Sequence, residues 1–170
     1  SHPWLKEHVV QKMRKGETLE ACELLKCGSI FFDLKELKFY ENYKEDKNIE
    51  KKLISLFNNY KPTKLFTHSA EDPHPDHKAV HKITLELLEK LTDAPETYIY
   101  SVWNPVSFKT NFPSFYVDVS KTFKLKLQAI KTFKSQKIHV AYPLFLLIFR
   151  AIKDGWHIRK KFGEHFFRIK

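Results

Sequence analysis

Long apolar runs are missing from this sequence. Its most apolar stretch, residues 140–149, is ten residues long, whereas a bilayer-spanning helix needs roughly 20. A transmembrane helix is thereby excluded there and a buried core helix is the natural reading, with peripheral membrane contact left open by the nearby Arg159, Lys160 and Lys161. Cysteine is scarce too. Cys22 and Cys27 are the only two; they fall on or just after one predicted helix, and no second Cys/His pair has the spacing of a zinc finger. Together with the lack of a signal-like segment, they point to reduced thiols and a cytoplasmic setting. Internal repeats, low-complexity stretches and recognisable nucleic-acid-binding motifs are also absent.

What is present suffices for one folded domain. Of 170 residues, 42% are hydrophobic and 15% aromatic, which supplies a real core for a single domain spanning 1–170 and too little for two. The formal net charge of +10 raises the question of an acidic partner. The lysines, however, are interleaved with glutamates along the whole chain, as on ordinary solvated helix faces, so no nucleic-acid partner is expected.

Periodicity outlines the elements. Leu5, Val9 and Met13, then Ala21, Leu24 and Leu25, predict a helix, or a helix pair interrupted near Gly16, with Gly28 at C′. Residues 29–34 read as a buried strand. Asp46 caps a helix whose Ile49, Leu53, Leu56, Phe57 and Tyr60 form one apolar stripe, ended by Lys61-Pro62. A strand at 63–68, a helix at about 77–91 and a strand at 97–103 follow. This β-α-β-α order predicts an α/β, Rossmann-like fold with a mostly parallel sheet. Residues 115–119 form a further strand, and Ser120 caps a helix carrying Leu125, Leu127, Ile130 and Phe133. Tyr142-Pro143 starts another helix, which ends near Asp154-Gly155. Residues 162–169 are either a final strand or an irregular tail.

The densest chemistry lies in Thr67-His68-Ser69-Ala70-Glu71-Asp72-Pro73-His74-Pro75-Asp76-His77-Lys78-Ala79. A buried strand precedes it, and Val80, Ile83, Leu87, Leu88 and Leu91 continue at helical spacing. The cluster therefore occupies a strand-to-helix turn, the place where open α/β sheets bind ligands. Two readings of His74-Pro75-Asp76-His77 stay open on spacing alone. One imidazole binds a metal while a second, oriented by the carboxylate between them, handles a proton or an oxyanion. Alternatively the loop caps a helix, with Asp72 or Asp76 favourable at its N-terminus.

The run His68 to Ala79 resembles the second signature of the zinc-dependent N-deacetylases typified by N-acetylglucosaminyl-phosphatidylinositol de-N-acetylase and the LmbE-like proteins. Arg14, Glu17, Ala21, Leu25 and Gly28 resemble that family's Arg/Glu helix. Val117-Asp118-Val119-Ser120, Lys126, Ala129 and Ser135-Gln136 resemble its segment after the sheet, and Arg150, Gly155 and Gly163-Glu164-His165-Phe166 its closing pattern. The resemblance runs in order over roughly residues 10–170. It departs at the start, where the family has a strand leading into His-Pro-Asp-Asp-Glu. Here Ser1-His2-Pro3 is followed by Trp4-Leu5-Lys6, without the acid pair or the family's first strand-helix-strand, which reads either as a truncated or internally deleted version or as a relative that has lost the metal site.

The resemblance implies a three-layer sandwich, zinc as cofactor, and a small N-acetylated sugar or glycoconjugate as substrate, with a homo-oligomer left open. It makes His77 a metal ligand, His74 the group that stabilises the oxyanion or protonates the leaving amine, and Asp76 the residue that orients His74. His2 either matches the family's first metal-binding histidine or is an ordinary terminal residue. Arg14 lies at the active-site mouth in the family; otherwise it pairs with Glu17 or Glu20 on a helix surface. His68 and Asp72 shape the loop, Asp72 through bonds to backbone N–H groups. Without the acid pair, turnover by these 170 residues is expected to be poor. Two other readings stand beside this one: a metal-deficient relative that binds a glycan without turnover, and a basic polyanion-binding module.

Overall fold

In a computed structural model the backbone is described over residues 7–100 and 112–170, and residues 7 and 136–143 by their backbone alone. The elements in chain order are α1 (Glu7–Leu25), α2 (Phe39–Glu45), α3 (Lys47–Tyr60), β1 (Lys64–His68), α4 (Pro75–Lys90), β2 (Glu96–Tyr100), β3 (Ser114–Asp118), α5 (Phe123–Lys131), α6 (Lys137–His157) and β4 (Gly163–Arg168). The chain divides into two compact units, one of Ser1–Phe31 with Tyr116–Glu164, the other of Phe32–Phe115 with His165–Lys170.

The fold is mixed α/β, and its strand order is β1-β2-β4-β3. The expectation of a mostly parallel sheet is met only in part. β1 and β2 are parallel, with Lys64 opposite Glu96 and His68 opposite Tyr100, as a helical crossover between them requires. β2 and β4 are antiparallel, Ile99 facing Phe167. The residues at 162–169 are thus a strand rather than a tail, and Thr97 anchors its end by donating to Lys170 O and accepting from Ile169 N–H.

In the second unit, Tyr43, Ile49, Ile83 and Leu87 form the buried centre, packed by Phe32, Leu34, Tyr40, Leu53, Ile54 and Phe57. The α3 stripe supplies Ile49, Leu53 and Phe57 to it; Tyr60, at 73% exposed, falls outside. Asp46 caps α3 as expected, accepting from Asn48 N–H, and Lys61 closes it in the left-handed region. No strand forms at 29–34. Asp33 and Leu37 both adopt positive φ, which breaks extended backbone, and Phe32 and Leu34 reach the core from a loop instead. Ile30 and Phe31 beside them stay exposed, so the strand-like composition serves neither pairing nor, as a whole, burial.

The first unit has α1 running unbroken through Gly16. Lys26, at φ 55, takes the C′ position expected of Gly28, with Cys27 N–H bonded back to Cys22 O. Both Glu17 carboxylate oxygens are bonded to Ser135, one to its N–H and one to its hydroxyl, each at 2.6 Å. Two separate pieces of the sequence resemblance therefore meet. Thr122, not Ser120, sits at the N-cap of α5, and the Ser120 hydroxyl instead accepts from Phe162 N–H. α6 starts at Lys137, ahead of the expected Tyr142-Pro143, and runs on to His157. Among the described residues no helix is long and apolar enough to cross a membrane.

Candidate metal centre

The loop between β1 and α4 is held by its own short-range bonds. Ser69 accepts from Glu71 N–H through its hydroxyl and from Asp72 N–H through its carbonyl. Asp72 Oδ1 accepts from His74 N–H at 2.9 Å. His74 then caps α4, its Nδ1 accepting from Asp76 N–H at 3.2 Å, with Pro75 as the first helical residue. An acceptor Nδ1 leaves Nε2 as the nitrogen that carries the proton in the neutral ring. Below the loop, Thr67 of β1 and Thr84 of α4 share a buried hydroxyl bond at 3.0 Å, which fixes the strand against the helix.

His68, Asp72 and His77 come together over this frame, with one potential ligand atom from each lying within 4.8 Å of the others. The rings of His68 and His77 stack at 3.9 Å and 6°, and Asp72 is 1% exposed. His77 Nδ1 lies 2.9 Å from Asp72 Oδ1 but is not aligned with it as a hydrogen bond. His68 Nδ1, His77 Nδ1 and Asp72 Oδ2 are all buried without a hydrogen-bond partner. Buried polar atoms are rarely left so. Burial, reinforced by the neighbouring His77 and His74 and only partly offset by Asp72, pushes the His68 imidazole down to about 4. It therefore presents a neutral ring, the form that ligates metals.

The surroundings complete the site. His81 Nδ1–H donates to the His68 carbonyl at 2.8 Å. The Tyr100 ring stands 5.2 Å from His68, and burial, together with the Asp72 carboxylate, pushes its hydroxyl up. Spacing on α4, where His81 follows His77 by one turn, was a signal for the first. Only the β1–β2 register, which sets Tyr100 opposite His68, could have found the second.

The sequence candidates His68, Asp72, His74, Asp76 and His77 all gather here. Asp76 does so differently from the expected arrangement. Its backbone N–H meets the His74 ring, while its buried carboxylate accepts from Leu37 N–H at 3.0 Å. The carboxylate thus latches the loop before α2. Arg14 is half-buried on α1 and belongs to the first unit; His2 lies outside the described residues.

Clustered imidazoles and a buried carboxylate at the carboxyl end of a parallel strand give this α/β protein a candidate ligand or metal site at its strand ends. The family model described as PIG-L, GlcNAc-PI de-N-acetylase, matches residues 1–88, more than half of the chain and all of the histidine loop. The chain belongs to this family. No curated protein matches it. Among solved structures it is similar to GalB, the 4-carboxy-2-hydroxymuconate hydratase of Pseudomonas putida, with TM-score 0.78 and 19% identity over 99% of this chain and 75% of that one. It is similar also to the N,N'-diacetylchitobiose deacetylase of Pyrococcus horikoshii, with TM-score 0.73 and 21% identity over 99% and 67%. The zinc-inhibited form of the teicoplanin deacetylase Orf2 follows, with TM-score 0.70 and 15% identity over 96% and 74%. At these identities the likeness establishes the fold.

Proposed function

We propose that this chain is a zinc-dependent N-deacetylase-type hydrolase of an N-acetylated sugar or related amide, centred on the histidine loop. The observation that carries it is the convergence of His68, Asp72 and His77, one potential ligand atom from each lying within 4.8 Å of the others, with a buried polar atom of each left without a hydrogen-bond partner. Two imidazoles and a carboxylate are a donor set that suits zinc. His77 would hold the ion, with Asp72 and His68 completing the protein's side of the site or, for Asp72, orienting His77. When bound, zinc would polarise the amide carbonyl and lower the pKa of a water.

The chain's own residues would supply the rest. His74, whose Nδ1 is occupied by Asp76 N–H, has Nε2–H as its donor, suited to the oxyanion formed as the acetyl carbonyl is attacked and then to the departing amine. Removing one such donor typically lowers kcat about 10²- to 10³-fold. The Asp76 carboxylate, bonded to Leu37 N–H, acts on His74 through the helix N-terminus that it steadies. The family's acid pair has no counterpart after His2-Pro3, where Trp4 and Leu5 stand, so turnover by these 170 residues is proposed to be slow. A relative that binds a glycan at the same loop without turnover is the second reading. The hydratase among its structural neighbours illustrates that the fold alone does not choose the reaction.

Acetate release from N-acetylglucosamine and N,N'-diacetylchitobiose, after equilibration with zinc, tests the proposal. A slow rate abolished by chelation and by His77→Ala, and lowered by His74→Ala, supports the hydrolase. Saturable sugar binding with zinc bound and no acetate released supports the glycan binder. No zinc uptake and no sugar binding would refute both.

A further inference from the structure

α6 is turned against its own polarity. Phe145, Phe149 and Trp156 are 69%, 59% and 75% exposed, while Ala151 is buried and the charged Arg150 and Asp154 are half-buried. With half-buried Ile152, the aromatic residues recur at i, i+4, i+7 and i+11, which places them on one stripe roughly 16 Å long at 1.5 Å per residue. Large apolar side chains exposed in a continuous stripe mark an interaction surface. At the C-terminal end of that stripe stand Arg159, Lys160 and Lys161, all exposed. Lys160 lies 3.7 Å from Asp118, and Lys161 sits over the Phe162 ring.

We infer that α6 docks on an anionic lipid surface, with Phe145, Phe149 and Trp156 inserted at the headgroup boundary and Arg159 and Lys161 on the lipid phosphates. The charge decides the occupant. A second copy of this chain, also at net +10, would bring like charges to the basic end of the stripe, whereas an anionic bilayer offers the opposite sign. Apolar aromatics beside a basic collar are the signature of a helix lying in the membrane interface, and tryptophan is enriched at that depth. Nucleic acid would meet the cations but would leave the Phe145–Phe149 end of the stripe without an apolar partner. The inference is independent of the hydrolase reading, since none of these residues lies in the histidine loop.

Co-sedimentation with vesicles of phosphatidylcholine, alone or mixed with phosphatidylserine, tests it. Trp156 can be read alone in a Trp4→Phe/Trp103→Phe background. The expected result is binding to the phosphatidylserine vesicles, weakened by salt, with Trp156 emission quenched by lipids brominated near the headgroup. Arg159→Gln/Lys161→Gln should weaken binding roughly 25-fold, at about fivefold per charge, and Phe149→Ser/Trp156→Ser should abolish it. Absence of binding, or binding that persists in Phe149→Ser/Trp156→Ser, overturns the inference. So does a dimer in sedimentation velocity that this variant dissociates while vesicles go unbound. If either variant misfolds by circular dichroism, the quenching of Trp156 on the otherwise unaltered surface decides alone.

Discussion

Asp72 is where the roles of the histidine loop divide. One oxygen accepts from His74 N–H, the other is buried and unbonded, and His77 Nδ1 lies 2.9 Å away. If its business is only to shape the loop, an amide should serve nearly as well. If it holds or orients a metal ligand, Asp72→Asn should lower zinc affinity about 10- to 100-fold, with His77→Ala lowering it at least as far. Competition against a chromophoric chelator measures both, and unchanged affinity in Asp72→Asn would return the residue to loop structure alone. Asp76 makes the contrasting case, since its carboxylate serves Leu37 N–H. Asp76→Ala leaves that backbone donor without its charged partner and should destabilise the fold by about 2 kcal/mol, read from urea unfolding, with zinc affinity little changed. The loop's titratable residues were legible in the sequence because they are contiguous. The pairing of Asp76 with Leu37 was not, because it joins residues 39 apart through a backbone group that carries no side-chain signal.

Elements were legible where one local rule dominated. α3 combines a capping aspartate, which works as the pattern requires, with an apolar stripe that reaches the core at Ile49, Leu53 and Phe57. Asp46→Ala should therefore cost about 1 kcal/mol of stability, measurable as a lowered urea midpoint. Residues 29–34 failed because apolar, β-forming composition does not by itself specify a strand: Ile30 and Phe31 are exposed, Phe32 and Leu34 pack on the core from a loop, and positive φ at Asp33 breaks the extended backbone. Gly163, seen in the sequence only as part of a closing pattern, and Gly155, seen there also as a helix end, have a steric reason in the structure. A Cβ at Gly155 would stand 2.6 Å from Lys160 O, and one at Gly163 would stand 2.7 Å from the Asp154 carbonyl carbon. Backbone atoms cannot swing aside, so α6 and β4 would have to part. Gly163→Ala should destabilise by about 1–3 kcal/mol, and thermal unfolding would detect it; an unchanged Tm would show the turn to be looser than these distances imply.

At the scale of the whole molecule the excess of positive charge sets the response to acid. Each carboxylate protonated as pH falls adds to the net charge of +10 and to self-repulsion. In the second unit two carboxylates tie helices together through lysines. Glu50 on α3 meets Lys90 on α4 at 2.6 Å, and Glu86 on α4 meets Lys44 on α2 at 2.6 Å. The bond from Lys90, with help from Tyr43, holds the Glu50 carboxyl below its ordinary value of 4.5. At Glu86 burial pushes upward, but the bonds from Lys44 and Tyr40 outweigh it and the carboxyl is again lowered. A depressed folded pKa means that the unfolded chain binds the proton first. The stability from these pairs is therefore present above about pH 4.5 and is lost as pH falls through the lowered folded values. The urea midpoint of the protein should decline with acid over that window, and Glu50→Gln/Glu86→Gln should start lower at neutral pH yet decline less steeply. The partner lysines Lys90 and Lys44 are about half-exposed, and screening reduces what solvent-reached pairs contribute, so added salt should flatten the wild-type curve toward that of the variant. If the two curves keep parallel slopes at low salt, the acid response arises elsewhere, and these lysine pairs fix helix geometry without governing pH stability.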